Sequence, residues 1–124
     1  MAIITKRIVS ITLFLTALTA SSTALAHAHL KSHYPAANAV VTSAPQVITL
    51  DFSEGIEPGF SGVKVTGPEQ TVVKTAKAQR SAQDEKQLIV PVEDSLTSGT
   101  YQVDWHVVSV DGHKTQGNYQ FTVK

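Results

Sequence analysis

Cysteine is absent from the 124-residue sequence, and the single methionine is Met1. Disulfides are therefore excluded as a source of stability, and so are thiolate metal sites. Once Met1 is removed, no soft sulfur ligand remains. Any metal centre must then use nitrogen and oxygen, a donor set that suits Cu(II), Ni(II) or Zn(II) better than Cu(I). Runs of like charge are missing too, with ten Lys and Arg balancing ten Asp and Glu. Without a basic run, nucleic acid and anionic membrane are not expected partners. After residue 26 no apolar run approaches the length of a bilayer span. Nor does that part of the chain show the periodicity of an amphipathic helix.

The one sustained apolar run lies at the start. Lys6 and Arg7 precede an apolar stretch at residues 8–18, then small polar residues, then Ala24-Leu25-Ala26. A basic start, an apolar centre too short for a span and a small-x-small end are the features of a cleavable secretory signal. The expected organisation is a signal at 1–26 and one domain at 27–124. An overlapping small-x-small register, Ala26-His27-Ala28, would instead make His29 the first residue. Loss of Lys6 and Arg7 leaves eight basic against ten acidic side chains. Cutting after Ala26 makes His27 the first residue, which places an α-amine and an imidazole on one residue as a metal chelate.

Short apolar–polar alternations separated by Gly, Pro, Asn and Ser fill residues 27–124, the pattern of an all-β sandwich. About seven strands are expected. Residues 29–34 form the first, with His29, Lys31 and His33 on one face and Leu30, Ser32 and Tyr34 on the other. In 47–53, Ile48, Leu50 and Phe52 point inward. Residues 60–66 follow, with Val63 and Val65 inward, then a short strand at 71–75. Residues 76–84 read as a polar, mobile connection, and 86–92 as a strand that ends or becomes an edge at Pro91. The strongest pattern is 99–108, where Tyr101, Val103, Trp105 and Val107 alternate with Gln102, Asp104 and His106. Trp105 is expected to fill the space between two sheets. Residues 117–124 close the domain with Tyr119, Phe121 and Val123 inward. This count and spacing fit an immunoglobulin-like Greek-key sandwich.

Asp111 and His113 are separated by two positions, so in extended backbone their side chains project to one side, and Gly112 permits a tight bend between them. A carboxylate and an imidazole so placed either hydrogen-bond each other or grip one ion. With His27 at the N-terminus the donors become amine nitrogen, two imidazole nitrogens and a carboxylate oxygen. That set describes a tetragonal Cu(II) site, and neither chelate alone closes the square.

Several stretches together resemble the CopC family of periplasmic copper-binding proteins. They are His27-Ala28-His29-Leu30, Tyr34-Pro35-Ala36, Ile48-Thr49-Leu50-Asp51-Phe52-Ser53-Glu54, Phe60-Ser61-Gly62, and a block from Gly99-Thr100-Tyr101 through Trp105-His106-Val107-Val108-Ser109 to Asp111-Gly112-His113. The resemblance covers residues 27–124 and implies a Greek-key β-sandwich or barrel, a periplasmic location and one Cu(II) ion held by His27, Asp111 and His113. It further implies Glu54 as an acidic residue near the ion, acting behind the ligands or through water, and a CopD-type inner-membrane copper protein as partner. His29 is a candidate for an axial or neighbouring position. Some members also hold Cu(I) in a methionine-rich loop. Residues 67–86 contain no methionine here, so the resemblance implies a Cu(II)-only protein.

The expected role is a monomeric, non-enzymatic Cu(II) buffer or carrier in copper homeostasis or resistance. Two other classes compete with it. Secreted copper monooxygenases also begin with histidine on such a sandwich and use a histidine brace, but a coordinating Asp111 would fill the position dioxygen needs. A metal-free immunoglobulin-like interaction module would need neither end of the chain. His33 and His106 are read as surface histidines, and Asp104 as structural.

Overall fold

The computed structural model describes residues 28–124. The expected signal at 1–26 and the proposed first ligand His27 lie outside the described residues. Alternation decides the faces of the strands. In β3 (Val47–Phe52) every second side chain, Ile48, Leu50 and Phe52, is buried. In β8 (Gly99–Val108) Tyr101, Val103, Trp105 and Val107 are buried, and in β9 (Lys114–Val123) Tyr119, Phe121 and Val123 are. Each strand thereby acquires one apolar face that must be covered.

The cover comes from packing two sheets. One has the order β1-β3-β7-β6, the other β2-β9-β8-β4-β5, where β1 is Leu30–Tyr34, β2 Val40–Val41, β4 Gly62–Thr66, β5 Val72–Val73, β6 Gln79–Arg80 and β7 Gln87–Pro91. The chain changes sheet repeatedly, so that β8 returns beside β4 and β7 beside β3. These are crossovers of Greek-key type, and the all-β sandwich is as expected. Trp105 fills the intersheet space, its ring edge-on to Phe52 at 5.4 Å. Behind it Tyr101 stacks on Phe121, also at 5.4 Å. Among the described residues no helix is long and apolar enough to cross a membrane.

Gly117 stands opposite Trp105 in the β8–β9 ladder. A β-carbon there would come within 2.7 Å of the indole Cζ2. Gly117→Ala should therefore destabilise by about 1–3 kcal/mol through overpacking. A urea titration checks this: the midpoint should fall while the slope stays unchanged.

The structure corrects the sequence reading in four places. The stretch 76–84 is not a plain connection, because Gln79–Arg80 pairs with β7 and Arg80 donates to the Ile56 carbonyl at 3.2 Å. Phe60 does not start a strand; it ends a 3-10 turn, Pro58–Phe60, and is 71 % exposed. Val40–Val41 adds a short strand parallel to β9. With these the described residues hold nine strands, three of them only two residues long.

The fourth correction concerns His33. The β1–β3 register pairs Leu30 with Phe52 but Ser32 with Asp51, a bulge that places an extra residue on β1. His33 then faces Leu50 and turns inward. Its ring stacks on Tyr119 with centroids 3.7 Å apart, and its Nδ1 lies 2.6 Å from the Pro35 carbonyl. It is a half-buried packing residue, not a surface histidine. Burial without a hydrogen-bond partner among the described residues pushes the Tyr119 phenol well above its ordinary pKa.

Candidate metal centre

The long β8–β9 hairpin ends in the segment from Ser109 to His113. Ser109 is buried, 1 % exposed, and its backbone closes the bend twice. The Ser109 amide donates to the His113 carbonyl at 2.9 Å, and the Gly112 amide donates to the Ser109 carbonyl at 2.8 Å. Gly112 has φ of +89°, left-handed backbone that residues with a β-carbon rarely adopt. The bend is also stitched to the neighbouring segment. Ser109 bridges Ile56, the Val110 amide donates to the Gly55 carbonyl at 3.0 Å, and the Glu57 amide donates to the Val108 carbonyl at 2.8 Å.

This framework brings Asp111 and His113 together as expected. Asp111 Oδ2 lies 3.0 Å from His113 Nδ1, and the two side chains are 35 % and 49 % exposed respectively. The other oxygen, Oδ1, accepts the Ser109 hydroxyl. That bond is the main cause that holds the Asp111 carboxyl below the ordinary carboxylate pKa; burial opposes it, and weaker contributions from the His113 side chain and amide support it. Asp111 is thus kept anionic. Two donors about 2.0 Å from a first-row metal and at right angles to each other are about 2.8 Å apart. The observed 3.0 Å separation is close to that edge.

The start of the described chain lies at the same pole. The Thr115 hydroxyl, two residues beyond His113, donates to the Ala28 carbonyl at 3.0 Å. Ala28 itself is buried, 1 % exposed. His29 is fixed through its backbone: its amide donates to Ser53 Oγ at 2.8 Å, and its carbonyl accepts the Ser53 amide at 2.9 Å. The imidazole-bearing residue is exposed. Glu54 is exposed too, and Gly55, which follows it, carries the carbonyl bonded to Val110. Asp111, His113, Ala28, His29 and Glu54 therefore gather at one end of the sandwich. His106 is exposed on the outer face of β8, opposite Gly62. Among the described residues no three His, Cys, Asp or Glu side chains converge on one point. Asp111 and His113 form a pair of a carboxylate and an imidazole at this pole.

The hydroxyls of Ser53, Ser109 and Thr115 were not singled out from sequence. Ser109 lies two residues before Asp111 and Thr115 two after His113, but it is the bend closed by the Ser109–His113 backbone bond, not the spacing, that brings Ser109 to Asp111.

Comparison with known proteins gives a consistent picture. A family profile described as the CopC domain matches residues 30–124. Protein YobA of Escherichia coli (strain K12) is 69 % identical over 99 residues, 80 % of each chain. Copper resistance protein C of Escherichia coli is 42 % identical over 108 residues, 82 % of this chain and 84 % of that protein. The crystal structure of PcoC, a methionine-rich copper resistance protein from Escherichia coli, superposes with a TM-score of 0.72 at 40 % identity, over 80 % of this chain and 100 % of that one.

Proposed function

The chain belongs to the CopC family and has a copper-related role, and from that premise we propose that it is a periplasmic Cu(II) buffer or carrier loaded through its processed N-terminus. Export and cleavage after Ala26 expose His27. One Cu(II) ion is then bound by the α-amine and imidazole of His27, the Asp111 carboxylate and the His113 imidazole. His29 and Glu54 flank the ion. The observation that carries this reading is the Thr115–Ala28 hydrogen bond of 3.0 Å, which fixes the residue after His27 within two positions of His113.

Copper is cargo here, so the work of the chain is to hold and release it. Asp111 contributes a negative charge that lowers the net charge of the bound ion. His113 uses the nitrogen facing Asp111. The amine must lose its proton before it can bind, so loading favours neutral over acidic pH. A methionine-rich relative invites comparison with Cu(I) chemistry, but residues 27–124 contain no methionine, so the proposed cargo is Cu(II). The receiving partner in this reading is a CopD-type inner-membrane copper protein. The protein acts as a monomer and not as an oxidase. Tyr101, Tyr119 and Trp105 are buried in the core, which leaves them unavailable as a flat substrate platform.

The test joins two measurements on protein isolated from the periplasm. Mass analysis should place the first residue at His27. Electron paramagnetic resonance of the one-to-one copper complex should show a tetragonal Cu(II) centre with three nitrogens and one oxygen in the plane. A first residue other than His27 with the same spectrum would refute the amine ligand.

A further inference from the structure

Resting on the reading in which Asp111 and His113 hold copper, we propose that Ser109 is a positioning residue that fixes the orientation in which the Asp111 carboxylate meets the metal. A free carboxylate offers two equivalent oxygens and rotates about its last torsion. Here one oxygen is already committed, because Ser109 Oγ donates to Asp111 Oδ1. The other, Oδ2, is left facing His113 Nδ1 at 3.0 Å.

The hydroxyl also reaches the second ligand. The His113 amide lies 3.3 Å from Ser109 Oγ and 3.4 Å from Asp111 Oδ1. One hydroxyl thus sits between the backbone of His113 and the carboxylate of Asp111, and it orders both before an ion arrives. Ser109 can do this because it cannot move: it is buried, bridged to Ile56, and hydrogen-bonded through both its amide and its carbonyl. The exposed ligands borrow their order from a buried neighbour. Groups that orient metal ligands in this way contribute about 10–100-fold to metal affinity.

The experiment uses the processed chain beginning at His27 and titrates Cu(II) against a competing chelator. Ser109→Ala should weaken binding about 10–100-fold and broaden the electron paramagnetic resonance spectrum, because the Asp111 carboxylate is then no longer held in one orientation. The double variant Ser109→Ala/Asp111→Ala should lose less affinity than the sum of the two single losses, since Ser109 acts in large part through that carboxylate. Parent-like affinity and spectrum in Ser109→Ala, or additive losses in the double variant, would overturn the proposal. If Asp111→Ala alone leaves affinity unchanged, it is the copper site itself that fails, and the two failures are told apart. Should Ser109→Ala not fold, Ser109→Thr decides, because it keeps the hydroxyl. A parent-like spectrum and affinity support the positioning role. Weakened binding with an unchanged unfolding midpoint counts against it.

Discussion

Protein that begins Met-His27, or that carries a tag before His27, should lose Cu(II) affinity by more than 100-fold relative to protein that begins at His27. The extension converts the His27 α-amine into an amide, which can bind only by giving up its own proton, and it destroys the chelate ring that the amine and imidazole of His27 form together. Loss of a direct ligand should exceed the roughly 100-fold upper range seen when only an orienting neighbour is lost. The domain should remain folded, because Ala28 and His29 are anchored by Thr115 and Ser53. Chelator competition on the two forms, with circular dichroism as the fold control, measures this. Equal affinity would place the copper site elsewhere on the molecule.

Asp111→Ala and His113→Ala should each weaken Cu(II) binding by a similar factor, and the spectra should tell them apart. His113→Ala removes an equatorial nitrogen, whereas Asp111→Ala removes an oxygen and leaves the nitrogen count intact. Both side chains are at least 35 % exposed, so the sandwich core should survive either change. The pH dependence separates them further. Hydrogen bonds from Ser109 and His113 depress the Asp111 pKa in the folded state. The stability this charge provides is complete above the unfolded-state value of about 3.9 and is lost as pH falls through the lower folded value. Asp111→Asn should therefore lose less stability than the parent on acidification below about pH 4. Copper affinity should fall at much higher pH, below about 8, where the amine takes up its proton. A loss of affinity confined to pH below 4 would argue that the amine is not a ligand.

Alternation strong enough to survive a change of partner was legible in the sequence. Tyr101, Val103, Trp105 and Val107 needed only their period to declare their face, and the strand's limits at 99 and 108 followed. Gln79–Arg80 was not legible, because an edge strand of polar residues has no apolar face; its pairing is supplied by the backbone of β7. Val40–Val41 escaped for a related reason, since its partner on β9 lies some eighty positions further along the chain. His33 was misread because a bulge adds one residue and reverses the facing, which no count in steps of two can detect. At the candidate site the Asp111–His113 pair was legible from spacing. The hydroxyls around it were not, because serine and threonine are common in turns: Ser109 acts within its own bend, and Ser53 and Thr115 meet partners far along the chain.

The strand β1 lies at the border of its sheet, and the residues before it are tethered by one contact to Thr115 and two to Ser53. Peeling back that lip breaks those three bonds while the β8–β9 ladder stays zipped. One jaw of the clamp can open as a local event far cheaper than melting the whole domain. Under the proposed carrier role, lifting that leading edge is the step that would free the ion, and the sandwich behind it would stay folded.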